Sequence, residues 1–274
     1  MCPLGPNIGL TLVLAILLSK QFEFLSTKAD GFPNIPVPVS IKNTCKMDFE
    51  VEWILTDIEG TTTDVSFVYN TLFPYFLENL ERLEFDASPE IDVVLKQTAD
   101  FIAAETGEVG LSRIELLERL RIWAREDRKV TPLKELQGIV WKEGFESGAL
   151  LGHVYPEVKE ALVRWSHKGI SIAIFSSGSV AAQKLLFKYS TSGDLSAFFK
   201  AHFDTNTGMK RDASTYAKIA DLLRNSPSKV LFLSDIKEEL EAASFAGMHT
   251  VQLLRPGTAK GWDYTAQDFS QIIP

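Results

Sequence analysis

The sequence predicts an α/β protein: a doubly wound parallel sheet with an all-helical domain inserted after its first strand. Three observations predict it. Apolar runs such as "SIAIF" and "VLFL" are unbroken rather than alternating, which suits strands buried on both faces. Amphipathic stretches separate these runs, and strand–helix alternation builds a parallel sheet through right-handed crossovers. Over residues 64–152 the alternation fails, and helix patterns follow one another without a convincing strand.

The first residues stand apart. "IGLTLVLAILL" is too short to span a bilayer comfortably, no Lys or Arg precedes it, and "LSTKADG" is a poor small-residue cleavage site. The Pro-rich "GFPNIPVPVS" then reads as an extended linker. Residues 1–46 are accordingly expected to be an extension, disordered or not native, with Met47 as the natural start. An export or anchor segment is the alternative.

From Val51 the strands are read as "VEWILTD", "GISIAIFSS", "KAHFDT", "KVLFLSD" and "HTVQLLR". The helices between them are "YPEVKEALVRWSHKG", "SVAAQKLLFKYS", "DASTYAKIADLLRN" and "KEELEAASFAG", with Gly169 and Gly247 where C-terminal caps belong. In the insertion, "SFVYNTLFPYFLENLERL" carries Pro74 as an expected kink. "SPEIDVVLKQTADFIAAETG" opens on Ser88 as N-cap with Pro89 at the first helical position. "LSRIELLERLRIWARED" has a capping box, Ser112 with Glu115, and "TPLKELQGIVWKEGFESG" pairs a Thr131 cap with Pro132. The expected organisation is a core from 47–63 and 153–274 and a helical cap from 64–152.

Composition narrows the function. A formal net charge of −8 is a poor match for nucleic acid or an anionic membrane, so neither is expected as a partner. An anionic substrate would need local positive charge in the site. Cys2 and Cys45 form neither a disulfide framework nor a metal cluster, and free thiols in a reducing compartment are expected. His153, His167, His202 and His249 are scattered without metal-ligand spacing. The five tryptophans sit mostly in helix patterns, as packing residues rather than a stacking platform.

The chemistry stands at the strand ends. In open α/β sheets ligands bind at the carboxyl ends of the strands. There the sequence places Asp57 with Glu59 just beyond it, then Ser176 and Ser177 before Gly178, then Lys210 in the loop after "HFDT", then Asp235 with Glu239 four residues on. Any one of these alone is more simply a cap or a solvated side chain. Together, in order, they suit phosphate chemistry. Asp57 and Asp235 can hold a hard cation such as Mg²⁺ through oxygen. The cation and Lys210 neutralise a phosphoryl group. Ser176 and the N–H groups of the "SSGS" turn grip phosphate oxygens. A carboxylate can attack phosphorus, and a second acid can protonate the leaving oxygen. Gly60 lets the chain turn steeply past the site.

At these residues the chain resembles the haloacid dehalogenase-like phosphatase superfamily. With Glu59 in "DIEGTTT" where that superfamily usually has Asp, and with "FPY", "STSGDL" and the "HFDT" segment, it is similar to the enolase-phosphatase (acireductone synthase) family of methionine salvage. The resemblance runs from Val51 to the C-terminus. It implies an Mg²⁺ enzyme that converts 2,3-diketo-5-methylthiopentyl 1-phosphate into its enol and then releases phosphate to give acireductone. It implies Asp57 as nucleophile and metal ligand and Glu59 as general acid/base that also contributes to the metal site, through its backbone carbonyl in the wider superfamily. It further implies Asp235 as the remaining protein metal ligand, and Ser176, Ser177 and Lys210 as substrate-binding residues. Glu239 would orient Lys210 or the metal shell. A cytoplasmic monomer acting on a small phosphorylated diketone is expected. The rivals are a phosphatase of the same fold for another phospho-metabolite, and a non-catalytic, membrane-tethered binding protein.

Overall fold

The structure, a computed structural model, describes residues 50–274 and the backbone of Cys45–Lys46. The apolar run, the Pro-rich stretch and the Met47 start lie outside the described residues.

Strand β1 (Cys45–Lys46) precedes β2 (Trp53–Thr56). The helical stretch follows: α1 (Val65–Phe67), a π-helical segment over Val68–Leu72, α2 (Phe73–Asn79), a 3₁₀ turn over Glu81–Glu84, α3 (Pro89–Thr106), α4 (Arg113–Arg125) and α5 (Thr131–Glu146). The alternation then resumes with α6 (Pro156–His167), β3 (Ser171–Phe175), α7 (Val180–Lys188), β4 (Phe199–Phe203), α8 (Ala213–Leu222), β5 (Val230–Ser234), α9 (Lys237–Phe245) and β6 (His249–Leu253). Two short strands, β7 (Thr265–Ala266) and β8 (Ile272–Ile273), end the chain. The main sheet has the order β4-β3-β2-β5-β6-β7 and every pair in it is parallel. β1 pairs in parallel with β8, so strand backbone reaches into the segment read as an extension. The five long strands fall where the apolar runs predict them. β7 and β8 are too short to leave a pattern.

Strand order reverses at β2, whose neighbours are β3 and β5. A doubly wound sheet opens a crevice at such a point. Period-2 alternation sends Ile54, Ile172, Ile174, Leu231 and Leu233 to one face, against Val158, Leu162 and Trp165 of α6. Leu55, Ala173, Phe175, Val230 and Phe232 go to the other, against Tyr216 and Ile219 of α8 and Leu240 of α9. Both faces are covered, which is why these strands read as unbroken apolar runs.

In the helical insertion two caps differ from expectation. Ser88 stands at the N-cap of α3, but its side chain makes no capping bond; its own N–H donates to Asp86 Oδ1 at 2.8 Å. Val130, not Thr131, is the N-cap of α5, with no side-chain capping bond, and Pro132 is tolerated because it falls within the first turn. The Ser112–Glu115 capping box is present. Around Pro74 the helix accommodates the missing donor by widening into the π segment just upstream. Gly169 and Gly247 take φ of 77° and 91° directly after the C-caps of α6 and α9, as predicted.

Gly152 sits where the chain returns from the helical insertion. Its N–H donates to Tyr189 O at 2.8 Å and its carbonyl accepts from Thr191 N at 2.8 Å. A Cβ there would overlap the main-chain carbonyl of Leu186, which cannot swing aside. Gly152→Ala is expected to destabilise the fold by about 1–3 kcal/mol, measured by urea denaturation. A second expectation concerns His202 on β4, whose Nδ1 lies 3.1 Å from Gln183 Oε1. Burial first, then the charge of Lys184, holds its pKa below the ordinary 6.5. The folded state thus prefers the neutral ring. The stability this contributes is fully present above pH 6.5 and is lost as pH falls through the depressed value. An NMR titration should find the His202 ring titrating below 6.5.

Candidate active site

The carboxyl edge of the sheet carries every residue the sequence singled out. β2 delivers Asp57, which is 2% exposed, and its N–H still belongs to the sheet, donating to Leu233 O at 2.9 Å. Beyond it the chain folds on itself. The N–H groups of Thr61, Thr62 and Thr63 all point at Ile58 O, at 3.1, 3.0 and 2.9 Å. Gly60 takes φ +73° and donates to Thr63 O at 2.8 Å. Only glycine fits there for two reasons: the positive φ, and the Asp235 carboxylate, which a Cβ would overlap. The threonine run is a tight, buried turn.

Lys210 is the centre of charge. Its Nζ lies 2.6 Å from Asp57 Oδ1 and 2.8 Å from Glu239 Oε2, with all three side chains nearly buried. Glu239 also accepts from Ser234 Oγ at 3.0 Å, and Tyr216 OH donates to the Lys210 carbonyl at 2.7 Å. Glu239 thus stands against Lys210, in the place that one of its two expected roles, orienting Lys210 or the metal shell, requires. Burial pushes the Asp57 carboxyl well above its ordinary range, and the Lys210 ammonium acts against that. For Lys210, burial pulls down, but the Asp57 and Glu239 charges outweigh it and raise its pKa. Lys210's direction governs the pair, because two anionic oxygens within 2.8 Å hold the proton on nitrogen.

Ser176, fully buried, bridges two neighbours. Its hydroxyl donates to Glu59 Oε2 at 3.0 Å and accepts from Gly178 N at 3.1 Å. The N-cap of α7 is Ser179, whose Oγ accepts from Ala182 N, so neither Ser176 nor Ser177 is spent on capping. Ser177 is exposed at the mouth of the cavity.

Asp235 closes the edge. Its N–H donates to Thr61 Oγ1 at 3.1 Å and its carbonyl accepts from Gln252 Nε2 at 3.0 Å. Burial, reinforced by Glu239 and Glu59, pushes its carboxyl up to about 6. Its Oδ1 is buried without a hydrogen-bond partner, which for a carboxylate oxygen is costly. An unpartnered oxygen of a carboxylate that lines the same cavity as Asp57 suits a hard cation, and the donors at hand are all oxygen. Asp57, Asp235 and the Glu59 carbonyl fit that role. Among the described residues no three His, Cys, Asp or Glu side chains converge as ligands, and the Glu59 carboxylate is engaged by Ser176.

These groups line a cavity of about 360 Å³. The helical insertion lines the same cavity with apolar side chains, among them Val65, Val68, Leu72, Phe73, Trp141 and Phe145, and with the charged Asp127, Arg128, Lys129 and Lys134. The Phe73 and Trp141 rings stack nearly parallel, 6.5 Å apart. Sequence reading missed Lys134 on α5, whose Nζ reaches across to Thr205 Oγ1 at 2.9 Å and Ser177 O at 3.4 Å. It also missed Thr61. The "TTT" run was a visible signal for Thr61; nothing local marks Lys134.

An acidic edge with one buried lysine, at the switch point of a parallel sheet and under a helical insertion, defines a class of hydrolase. The profile of the haloacid dehalogenase-like hydrolases matches residues 51–247. The chain belongs to that family, on its enolase-phosphatase branch. It is 48% identical over 209 residues to Enolase-phosphatase E1 of Picosynechococcus sp., covering 76% of this chain and 91% of the relative. It is 48% identical over 228 residues to Enolase-phosphatase E1 of Sorangium cellulosum, covering 81% and 97%. Among solved structures, the UTR4 protein of Saccharomyces cerevisiae is 34% identical with a TM-score of 0.69, covering 80% of this chain and 98% of that one. Among the described residues no helix is long and apolar enough to cross a membrane.

Gly60→Ala tests the contact with Asp235. The substitution should displace the Asp235 carboxylate and lower kcat by about 10²-fold, with the circular-dichroism spectrum unchanged.

Proposed function

We propose that the chain is an Mg²⁺-dependent enolase-phosphatase. Its substrate is 2,3-diketo-5-methylthiopentyl 1-phosphate, taken through its enol to acireductone and phosphate in methionine salvage. The observation that carries this reading is the juxtaposition in one cavity of the Asp57–Lys210 pair at 2.6 Å and apolar side chains from the helical insertion. The Asp57–Lys210 pair suits a phosphoryl group and the apolar side chains of the lining suit a thioether tail. Family membership supports the same reading. Residues 64–152 would act as the cap and 47–63 with 153–274 as the core.

In this mechanism Lys210 and the N–H groups of the Ser176–Ser179 turn bind phosphate oxygens, with Ser177 at the entrance. Asp57 Oδ attacks phosphorus. A bond forms between that oxygen and phosphorus, the bond to the substrate's ester oxygen breaks, and the leaving oxygen takes a proton from Glu59. Water then attacks phosphorus, Glu59 accepts the water's proton, and the bond from phosphorus to the Asp57 oxygen breaks, freeing phosphate and restoring the carboxylate. Asp57, Asp235 and the Glu59 carbonyl would hold Mg²⁺, which when bound would supply positive charge for the phosphoryl and enolate oxygens. Enolisation, which precedes this, removes a proton from the carbon beside a carbonyl; Glu59 is the group proposed to take it. The helical cap closes over the cavity and keeps bulk water from the intermediate.

The test is to supply purified protein and Mg²⁺ with the diketone phosphate and follow enol and acireductone absorbance together with phosphate release. Both products should appear, and Asp57→Asn should lower phosphate release by about 10³-fold or more. Release from generic phosphate esters with none from the diketone would overturn the substrate assignment. Full activity in Asp57→Asn would overturn the mechanism.

A further inference from the structure

Arg255 lies just past the end of β6, and nothing above gives it a role. Its side chain is buried. Nε and Nη2 both donate to the Thr61 carbonyl, at 3.0 and 2.7 Å. The guanidinium carbon sits 3.8 Å from the centroid of the Tyr155 ring and 5.6 Å from that of Phe269. Nη2 is also 2.7 Å from Glu157 Oε1, an ion contact out of line for a hydrogen bond. A planar fork held against the Tyr155 ring and aimed at one carbonyl leaves that carbonyl little freedom.

What the fork holds is informative. Thr61 follows Gly60 in the active-site turn, and its Oγ1 accepts the Asp235 N–H at 3.1 Å. Gly60 itself abuts the Asp235 carboxylate. On the other side, the Tyr155 N–H donates to Thr62 O at 3.0 Å, and Tyr155 and Glu157 begin α6, where the chain has returned from the helical insertion. One side chain thus joins the outgoing and returning connections at the point where Asp235 docks.

We infer that Arg255 is a positioning residue: by gripping the Thr61 carbonyl it fixes the Gly60–Thr61 turn against Asp235 and so sets how the Asp57 and Asp235 carboxylates face a divalent cation. This rests on the reading that those two carboxylates hold Mg²⁺. A purely structural Arg255 would change the melting temperature and leave cation affinity in the folded protein untouched.

The experiment is calorimetric titration of Mg²⁺ into metal-free full-length protein, for the wild type, Arg255→Lys, Arg255→Met and Glu157→Gln, each with a thermal melt. Lysine keeps the charge and stem but cannot make two parallel donations. Arg255→Lys should remain folded and bind Mg²⁺ about 10-fold more weakly, and Arg255→Met more weakly still, in the range seen when groups supporting metal ligands are removed. Glu157→Gln keeps the grip on Thr61 and should bind like the wild type. Folded Arg255→Lys with wild-type Mg²⁺ affinity overturns the inference, and it decides alone if Arg255→Met does not fold. A loss in Glu157→Gln equal to that in Arg255→Lys also overturns it, since charge balance rather than the Thr61 grip would be at work. A wild-type protein that binds no Mg²⁺ overturns the metal reading, and the inference with it.

Discussion

Lys210 is the constraint on which the active edge depends. Four carboxylates, of Asp57, Glu59, Asp235 and Glu239, line a single cavity, and two of them are almost wholly removed from water. Without a cation between them, the buried pair would repel and take up protons instead of staying charged. Removing one partner from a buried ion pair typically costs about 3–5 kcal/mol, because the remaining charge is left uncompensated. The lysine is itself pinned at its main chain by Tyr216, and Tyr216 is packed edge-on against Phe175 and Phe232. The charge cluster is thereby referred to the aromatic core beneath the sheet.

Register delivers the cluster. Thr56 pairs with Ile174 on one side and Leu233 on the other, so Asp57 emerges level with the ends of β3 and β5. One residue of slip in β2 would turn Asp57 to a different face. After Asp57 the chain must leave for the helical insertion and return without disturbing it. The two connections are stapled where they pass. Thr63 Oγ1 donates to His153 O at 2.7 Å, and the Asp64 N–H donates to His153 Nδ1 at 3.1 Å.

What the sequence made legible follows from this division. Buried strands and the acids at their ends are local features: an unbroken apolar run, then a carboxylate. They could be read, and Asp57, Ser176, Lys210 and Asp235 stand on the edge where they were expected. The cap residues at Ser88 and Thr131 could not be settled from the sequence, because residue type does not decide which neighbour takes the bond. Arg255 and Lys134 were out of reach for a stronger reason. Arg255 serves a carbonyl 194 positions away, and Lys134 a hydroxyl 71 positions away. Neither carries a local pattern that distinguishes it from a solvated surface cation.

Glu59 is where local and tertiary information meet. Its carboxylate spans from the end of β2 to the end of β3 and takes the Ser176 hydroxyl, a neutral donor. Asp57 and Glu239 instead take an ammonium. The difference bears on the proton-transfer role proposed for Glu59. Hydrogen bonds between a charged donor and a carboxylate are roughly twice as strong as neutral ones, so Asp57 and Glu239 are held in place. A bond from a hydroxyl can be exchanged for one to a substrate oxygen at little net cost. The extra methylene of Glu over Asp is what lets the side chain meet Ser176 while its main chain stays in the tight turn beside Gly60. An aspartate at this position would leave Ser176 to its bond with Gly178 and would shorten the reach into the cavity by one carbon.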